Sequence, residues 1–156
     1  MTPMQLVASA LAKKAVIATA ESCTGGLVAA AITDISGSSA VFDRGFVTYS
    51  NAAKTQMLGV PSNLLEIHGA VSEEVARAMA QGALAHSSAT LAVSITGIAG
   101  PSGGNATKPV GLVHFVCATK AGQQWHERMI FEGDRAAIRA AARDHALQML
   151  GKVLLG

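Results

Sequence analysis

A serine and a cysteine stand side by side where the first strand-like run of the chain ends. Residues 15–20 are apolar, and they give way to Glu-Ser-Cys-Thr-Gly-Gly and then to an alanine-rich, helix-like stretch. A strand that turns into a helix in this way presents the turn at the carboxyl edge of a sheet, where open α/β folds bind their ligands. Ser22 and Cys23 are therefore candidate nucleophiles. The alternative is a simple helix start capped by Ser22 or Thr24.

The residues after this pair offer backbone N–H groups to a ligand. Amides at the start of a helix have no partner within the helix, and their partial positive charge favours an anion. A carbonyl oxygen attacked by a nucleophile becomes such an anion, so these amides would form an oxyanion hole. The candidate donors are Thr24, Gly25 and Gly26.

A lysine and a tyrosine form a second candidate set further along the chain. If Ser50 caps a helix, Lys54 falls at the end of the first turn, near the positive end of the helix dipole. That position lowers the pKa of an ammonium group, and a neutral lysine can accept a proton. Tyr49, just before the cap, could pass or hold that proton. The alternative for Lys54 is a solvated surface lysine.

Residues 97–109 form a glycine-rich loop after a predicted strand. The loop lacks the Gly-Lys-Ser/Thr ending of a Walker sequence, so it is a weak signal for phosphate binding. Glycine still lets backbone amides approach an anion closely. A plain surface loop is the competing interpretation. The candidate phosphate and substrate residues are Gly97, Gly100, Gly103, Gly104 and Lys108, with Arg44 from the second strand as a weaker candidate.

The histidines and the arginines of the last helix point less clearly to chemistry. The five histidines show no i, i+4 pair and no adjacent carboxylate or cysteine set, so we expect no metal and no cofactor. No Gly-x-Ser-x-Gly elbow occurs. Arg135, Arg139 and Arg143 recur every four residues, which predicts a solvated helix face, although Arg135 could reach an anion.

Composition excludes several classes of protein. The chain has 156 residues, half of them hydrophobic, which predicts one compact domain over residues 1–156. A net charge of +2 and an aromatic content of 4% argue against nucleic acid as a partner. Two cysteines cannot make a disulfide framework. No uncharged stretch approaches the roughly 20 residues of a membrane span, so we expect a cytoplasmic protein with no membrane partner.

Hydrophobic periodicity and turn residues predict ten elements in the order α-β-α-β-α-α-β-β-β-α. The predicted helices are 3–14, 25–33, 51–58, 72–87 and 133–155. The predicted strands are 15–20, 41–49, 91–96, 110–119 and 123–131. This order favours a three-layer α/β/α sandwich around a mixed, mostly parallel sheet of about five strands.

Five ordered motifs resemble the CinA C-terminal domain family, also called the nicotinamide-nucleotide amidohydrolase family. The similarity extends over nearly the whole chain, and we find no departure at a motif position. The motifs are Glu21-Ser22-Cys23-Thr24-Gly25-Gly26, Gly45-Phe46-Val47-Thr48-Tyr49-Ser50-Asn51-x-x-Lys54, His68-Gly69-Ala70-Val71-Ser72, Gly97-Ile98-Ala99-Gly100-Pro101-x-Gly103-Gly104 and Lys108-Pro109-Val110-Gly111.

The resemblance implies hydrolysis of the carboxamide of nicotinamide mononucleotide to nicotinic acid mononucleotide and ammonia. It implies a serine nucleophile, Ser22, together with Tyr49 and Lys54, and substrate contacts at Thr48 and Asn51. Larger members of the family carry an additional N-terminal domain, and this chain resembles the stand-alone form. The implied partner is the small-molecule substrate, with no cofactor, while a homo-oligomer stays open.

Two other functions remain open from the residues. A nucleotide-binding or regulatory module could keep the pocket without turnover, although such a module has no need of a base beside a nucleophile. A cysteine amidase would use Cys23, but the sequence offers no recognisable histidine partner for it.

Overall fold

The strands form one five-stranded sheet, as the sequence predicts. A computed structural model describes residues 1–156 and has the sheet order β2-β1-β3-β4-β5. The strands are β1 (Ile17–Glu21), β2 (Phe42–Val47), β3 (Leu91–Gly97), β4 (Leu112–Thr119) and β5 (Gln124–Ile130). β1 pairs in parallel with β2 and β3, and the β3–β4 and β4–β5 pairs are antiparallel. Four strands therefore share one direction, and only β4 is reversed, which confirms a mixed and mostly parallel sheet.

Helices cover both faces of this sheet and complete three layers. The helices are α1 (Pro3–Ala12), α2 (Leu27–Thr33), α3 (Asn51–Leu58), α4 (Ser62–His68), α5 (Glu73–Ala85) and α6 (Arg135–Leu155), with a short 3₁₀ turn at Ser38–Ala40. Helices α1, α2 and α6 contact one another on one face, while α3 and α4 pack around α5 on the other. The predicted α/β/α sandwich is confirmed. None of the helices has the length and apolar character that crossing a membrane requires.

Two apolar cores lie on the two faces of the sheet. On the α6 face, Ile17, Val93 and Phe115 are fully buried, whereas Ala18 and Ala92 are buried on the α5 face. Successive side chains of a strand point to opposite faces, so a strand covered on both sides is apolar at nearly every position. This double burial explains why β1 and β3 have continuous rather than alternating apolar sequences.

The main differences from the predicted elements lie at two loops. The segment before His68 contains a helix, α4, where the sequence predicts only turns; Pro61 begins it without a side-chain cap. Helix α2 starts at Leu27 rather than at Gly25, because Gly25 and Gly26 both have positive φ angles of 57° and 107°. These two glycines form a left-handed turn between β1 and α2, and that turn carries the candidate nucleophile.

Candidate active site

The structure brings Ser22 and Lys54 into direct contact at the carboxyl edge of the sheet. Ser22 follows β1 immediately, and its N–H donates to the carbonyl of Ile95 on β3 (2.9 Å). Lys54 lies on α3, which Ser50 caps by accepting a hydrogen bond from the N–H of Ala53 (3.0 Å). The two side chains meet with Lys54 Nζ 3.0 Å from Ser22 Oγ. The predicted cap and the predicted position of Lys54 in its helix are both confirmed.

Lys54 is buried without a carboxylate partner. The residue is 1% exposed, and burial lowers the pKa of its amine. Besides Ser22, its Nζ contacts the carbonyl oxygens of Thr48 (3.0 Å) and Tyr49 (3.1 Å). A neutral amine has two N–H donors and one lone pair. Two carbonyls accept the donors, so the lone pair is left for the hydroxyl proton of Ser22. This arrangement suits a general base.

The carboxylate of Glu21 organises the turn after Ser22. This fully buried side chain accepts hydrogen bonds from the N–H groups of Gly26 (3.2 Å), Val28 (2.9 Å) and Ala29 (3.0 Å). A carboxylate is favourable there because amides at a helix start lack partners and carry partial positive charge. Sequence reasoning missed this role, although an acid directly before a strand-to-helix turn was a usable signal.

Glu21 also changes which amides are free to hold an oxyanion. The N–H of Gly26 is bound to Glu21, and the N–H of Gly25 donates to the carbonyl of Ser22 (3.1 Å). Of the three expected donors, only the N–H of Thr24 donates to no other residue, and the N–H of Cys23, which lines the pocket, donates to none either. The available pair is therefore one residue closer to Ser22 than the sequence predicts.

Cys23 has the properties of a buried structural thiol. Its side chain is 5% exposed, and burial raises its pKa to about 11. A thiol with this pKa is protonated near neutral pH, whereas the thiolate is the nucleophilic form. The geometry therefore favours Ser22 over Cys23 as the group that Lys54 activates.

A pocket of about 190 Å³ opens above the Ser22–Lys54 contact. Its lining includes both of these residues together with Tyr49, Asn51 and Arg135. Two of the larger depressions, of about 640 and 510 Å³, lie between β5 and the end of α6 and between α1, α2 and α6. Neither contains a nucleophile beside a buried base, so chemistry rather than size identifies the site.

Tyr49 and Arg135 lie together at the mouth of this pocket. The Tyr49 side chain is 61% exposed, and its hydroxyl is 3.1 Å from a guanidinium nitrogen of Arg135. Arg135 also donates to the carbonyl of Gly100 (2.9 Å). Tyr49 thus contributes its backbone carbonyl to Lys54 and its ring to the rim. Because Lys54 reaches Ser22 directly, proton transfer between them needs no intervening tyrosine hydroxyl.

The glycine-rich loop contributes less to the pocket than its sequence predicts. Gly97 lines the pocket, but Gly100 and Gly104 pack against Val110, and Gly103 is exposed. A Cβ at Gly104 would lie 2.6 Å from the backbone nitrogen of Val110. These glycines allow the loop to fold closely on itself, so packing accounts for two of them.

The sequence predicts two cations for phosphate binding, Lys108 and Arg44, and neither lines this pocket. Lys108 donates its ammonium to the carbonyl of His68 (2.6 Å). Arg44 contacts Asp43 and the carbonyl of His86 (both 3.0 Å), at the opposite edge of the sheet from Ser22. Arg44 belongs to β2 as predicted, but its side chain follows the strand toward the end of α5, so the structure does not bring it to the site.

The remaining site residues are distributed between the lining and the layer beneath it. Asn51 lines the pocket, while the hydroxyls of Thr24 and Thr48 are fully buried with no hydrogen-bond partner. Sequence reasoning missed Thr96, a pocket residue at the end of β3 whose hydroxyl donates to the carbonyl of Ala70 (2.8 Å). Its position at a strand end, like that of Ser22, was the available signal.

The chain matches proteins of known sequence and structure over nearly its full length. The CinA C-terminal domain family model matches residues 2–154. The nicotinamide-nucleotide amidohydrolase PncC of Escherichia coli strain K12 is 57% identical over 144 residues, which cover 92% of this chain and 87% of that protein. The crystal structure of the competence/damage inducible protein CihA from Agrobacterium tumefaciens has a TM-score of 0.95 and 48% identity, covering 99% of this chain and 93% of that one.

Some relatives are longer than this chain. A competence-damage inducible protein of Symbiobacterium thermophilum is 52% identical over 161 residues, which cover 97% of this chain but only 38% of that protein. The matched region is therefore one part of the longer relative and nearly the whole of the E. coli protein. On the family match and these identities, the chain belongs to the CinA C-terminal domain family.

Proposed function

We propose that this protein is an amidohydrolase that deamidates nicotinamide mononucleotide with Ser22 as nucleophile and Lys54 as general base. The observation that carries the proposal is the 3.0 Å contact between Ser22 Oγ and the buried amine of Lys54. The name of the E. coli relative, which is 57% identical, supports the substrate. A buried lysine with no carboxylate beside it is costly, and a role in proton transfer explains its presence.

The first half of the reaction forms an acyl-enzyme. Neutral Lys54 removes the hydroxyl proton of Ser22 as Oγ attacks the carbon of the carboxamide. The carbonyl oxygen becomes an oxyanion, and the free N–H groups of Cys23 and Thr24 are the donors closest in sequence to the nucleophile. Protonated Lys54 then gives its proton to the departing nitrogen, and ammonia leaves.

The second half of the reaction releases the acid. Lys54, neutral again, removes a proton from a water molecule that attacks the ester on Ser22. The same two amides hold the second oxyanion, and the proton on Lys54 returns to Ser22 as the ester bond breaks. The carbonyls of Thr48 and Tyr49 keep the amine oriented through both steps, because they accept its other hydrogens.

The size and charge of the pocket suit one end of a nucleotide. At about 190 Å³ it is smaller than pockets that enclose a whole drug-sized ligand, which measure roughly 300–1,000 Å³. The ring that carries the carboxamide would occupy it, and the ribose phosphate would extend across the rim. Lys54 is neutral in the resting site, so Arg135 is the one cationic side chain in the lining. It is the phosphate partner that we propose, with the neighbouring loop amides of Gly100, Gly103 and Gly104.

Ammonia release from nicotinamide mononucleotide by the purified protein tests this function. Wild type should liberate one ammonia per nicotinic acid mononucleotide, and Ser22→Ala should be folded and nearly inactive. A protein that binds the nucleotide without releasing ammonia would instead be the non-catalytic module. Activity that survives Ser22→Ala and disappears in Cys23→Ala would reassign the nucleophile.

A further inference from the structure

Arg139 holds the carbonyl side of the turn that carries Ser22. Its Nε donates to the carbonyl of Cys23 (3.0 Å), and one of its terminal nitrogens donates to the carbonyl of Thr24 (3.2 Å). The Arg139 side chain is half-buried and reaches the turn between β1 and α2 from α6. The sequence pattern predicts a solvated helix face for this residue, and the structure corrects that prediction.

The turn is therefore fixed from both sides by buried or half-buried charge. The Glu21 carboxylate accepts from the N–H groups of Gly26 and of the first turn of α2, while the Arg139 guanidinium donates to the two carbonyls before them. Hydrogen bonds to charged groups are among the stronger ones in proteins. A Cβ at Gly25 would lie 3.2 Å from Arg139, so glycine at this position leaves room for the guanidinium.

Because the peptide bond is planar, these contacts with the carbonyls also fix the orientation of the N–H groups that follow them. In a trans peptide the C=O and the following N–H point in opposite directions, so a fixed carbonyl fixes the next N–H as well. Arg139 binds the carbonyl of Cys23 and thereby aims the N–H of Thr24 away from itself. It binds the carbonyl of Thr24 and aims the N–H of Gly25, which donates to the carbonyl of Ser22.

We propose that Arg139 is a positioning residue for the reaction, which orients the peptide groups after Ser22 so that the N–H groups of Cys23, which lines the pocket, and of Thr24 meet the developing oxyanion. Arg139 does not line the pocket, so it acts through the backbone and not on the substrate. The inference rests on the proposed serine mechanism. It assigns to α6 two functions one helical turn apart, with Arg135 at the rim and Arg139 under the nucleophile.

The fold does not depend on Arg139 for the packing of α6. Apolar side chains of this helix, including Ile138, Ala142 and Leu150, are buried in the larger core. Removal of the guanidinium should therefore leave α6 in place and relax only the turn. A misplacement of reacting groups by about 1 Å can cost about 100-fold in rate.

The test compares Arg139→Gln and Arg139→Ala with Arg143→Ala. Arg143 lies one turn further along α6 and pairs with the adjacent Asp144 (2.8 Å), away from the pocket, so it is the matched control. With nicotinamide mononucleotide, both Arg139 variants should lose about 10- to 100-fold in kcat, with KM within about twofold of wild type. Added methylguanidinium should restore part of the kcat of Arg139→Ala, and Arg143→Ala should match wild type.

A second readout separates this inference from the choice of substrate. A fluorophosphonate probe reacts with an activated serine and places an oxygen where the oxyanion would form. Labelling of Ser22 should slow in both Arg139 variants to the same degree as kcat. If wild type labels but releases no ammonia, the proposed function fails and the labelling rates still decide the role of Arg139. Any of four results would overturn the role that we propose for Arg139. These are wild-type kcat and labelling in Arg139→Gln, an effect confined to KM, a loss explained by unfolding, and a wild type that does not label at Ser22.

Discussion

Ser22 Oγ and Lys54 Nζ lie 3.0 Å apart although 32 residues separate them in the chain. Two connections produce this contact. β1 and β2 are parallel neighbours, so both end at the same edge of the sheet, and each continues directly into the segment that carries one partner. The serine directly precedes the left-handed glycine turn, and the lysine lies in the first turn of a capped helix, which places both side chains over the strand ends.

Substitution of Ser22 should abolish turnover, whereas substitution of Cys23 should not. Ser22→Ala removes the hydroxyl that Lys54 contacts, and loss of an essential nucleophile costs several orders of magnitude in kcat. Cys23→Ala removes a protonated thiol and keeps the backbone N–H, so most of the activity should remain. Steady-state rates of ammonia release, with circular dichroism as a check on folding, measure both. The reverse pattern would refute the assignment.

Lys54→Arg should be inactive, and wild-type activity should fall at acid pH. Burial lowers the pKa of Lys54, so activity should rise with pH through an apparent pKa below the ordinary lysine value of about 10.4. An arginine stays charged in this range and cannot accept the proton of Ser22. The pH profile of kcat/KM provides the measurement. An active arginine variant would show that residue 54 is only an electrostatic anchor.

The same lowered pKa predicts how stability changes with pH. Between the lowered pKa of folded Lys54 and its ordinary value, the unfolded chain binds more protons than the folded chain, so stability gains with rising pH. The free energy of unfolding of wild type should therefore increase relative to Lys54→Met as the pH rises from the lowered pKa toward the ordinary lysine value of about 10.4. Urea unfolding at several pH values measures the difference. Parallel curves for the two proteins would contradict a lowered pKa.

The sequence predicts local structure well and long-range contacts poorly. Ser22, Lys54 and the cap at Ser50 follow from patterns within about ten residues, because strands, turns and helix caps are local structures. The sheet class follows from the order of elements. Arg139, in contrast, contacts a carbonyl 116 residues away. Its four-residue spacing from Arg135 and Arg143 fits a solvated face equally well.

Ambiguity in direction explains two further differences. Arg44 is on the predicted strand, but a strand has two ends, and its side chain reaches the edge opposite Ser22. Gly25 and Gly26 are in the predicted turn, but the partners of their N–H groups depend on a buried carboxylate and a carbonyl. Composition and spacing alone do not reveal which of several nearby acceptors forms the hydrogen bond with a given backbone N–H.

His114 should cause a loss of stability in mild acid. Burial lowers its pKa to about 4, with the neighbouring His126, Arg128 and Lys108 acting in the same direction. In the unfolded chain the pKa of this histidine is about 6.5. Below that pH the unfolded chain binds a proton that folded His114 does not bind, so the free energy of unfolding decreases as the pH falls toward 4. His114→Gln should show a shallower decline in melting temperature over this window. Some decline should persist because burial also lowers the pKa of His145.

Loss of the phosphate from the substrate should lower kcat/KM in wild type but not in Arg135→Ala. Nicotinamide riboside keeps the carboxamide and lacks the phosphate, so its kcat/KM on wild type should be far lower than that of the nucleotide. Each charge-assisted hydrogen bond is worth roughly 1.5–3 kcal/mol, which corresponds to about 10- to 100-fold in this ratio. Arg135→Ala should lose this preference while changing its rate on the riboside little.

Tyr49→Phe provides the control for that comparison, since Arg135 also contacts the Tyr49 hydroxyl (3.1 Å) and the carbonyl of Gly100. The variant removes the hydroxyl contact but keeps the guanidinium and the backbone carbonyl that Lys54 uses. It should therefore retain the preference for the nucleotide over the riboside. Equal kcat/KM values of wild type on both substrates would show that the rim of the pocket does not recognise the phosphate. A preference that survives Arg135→Ala and disappears in loop variants would transfer it to the amides of Gly100, Gly103 and Gly104.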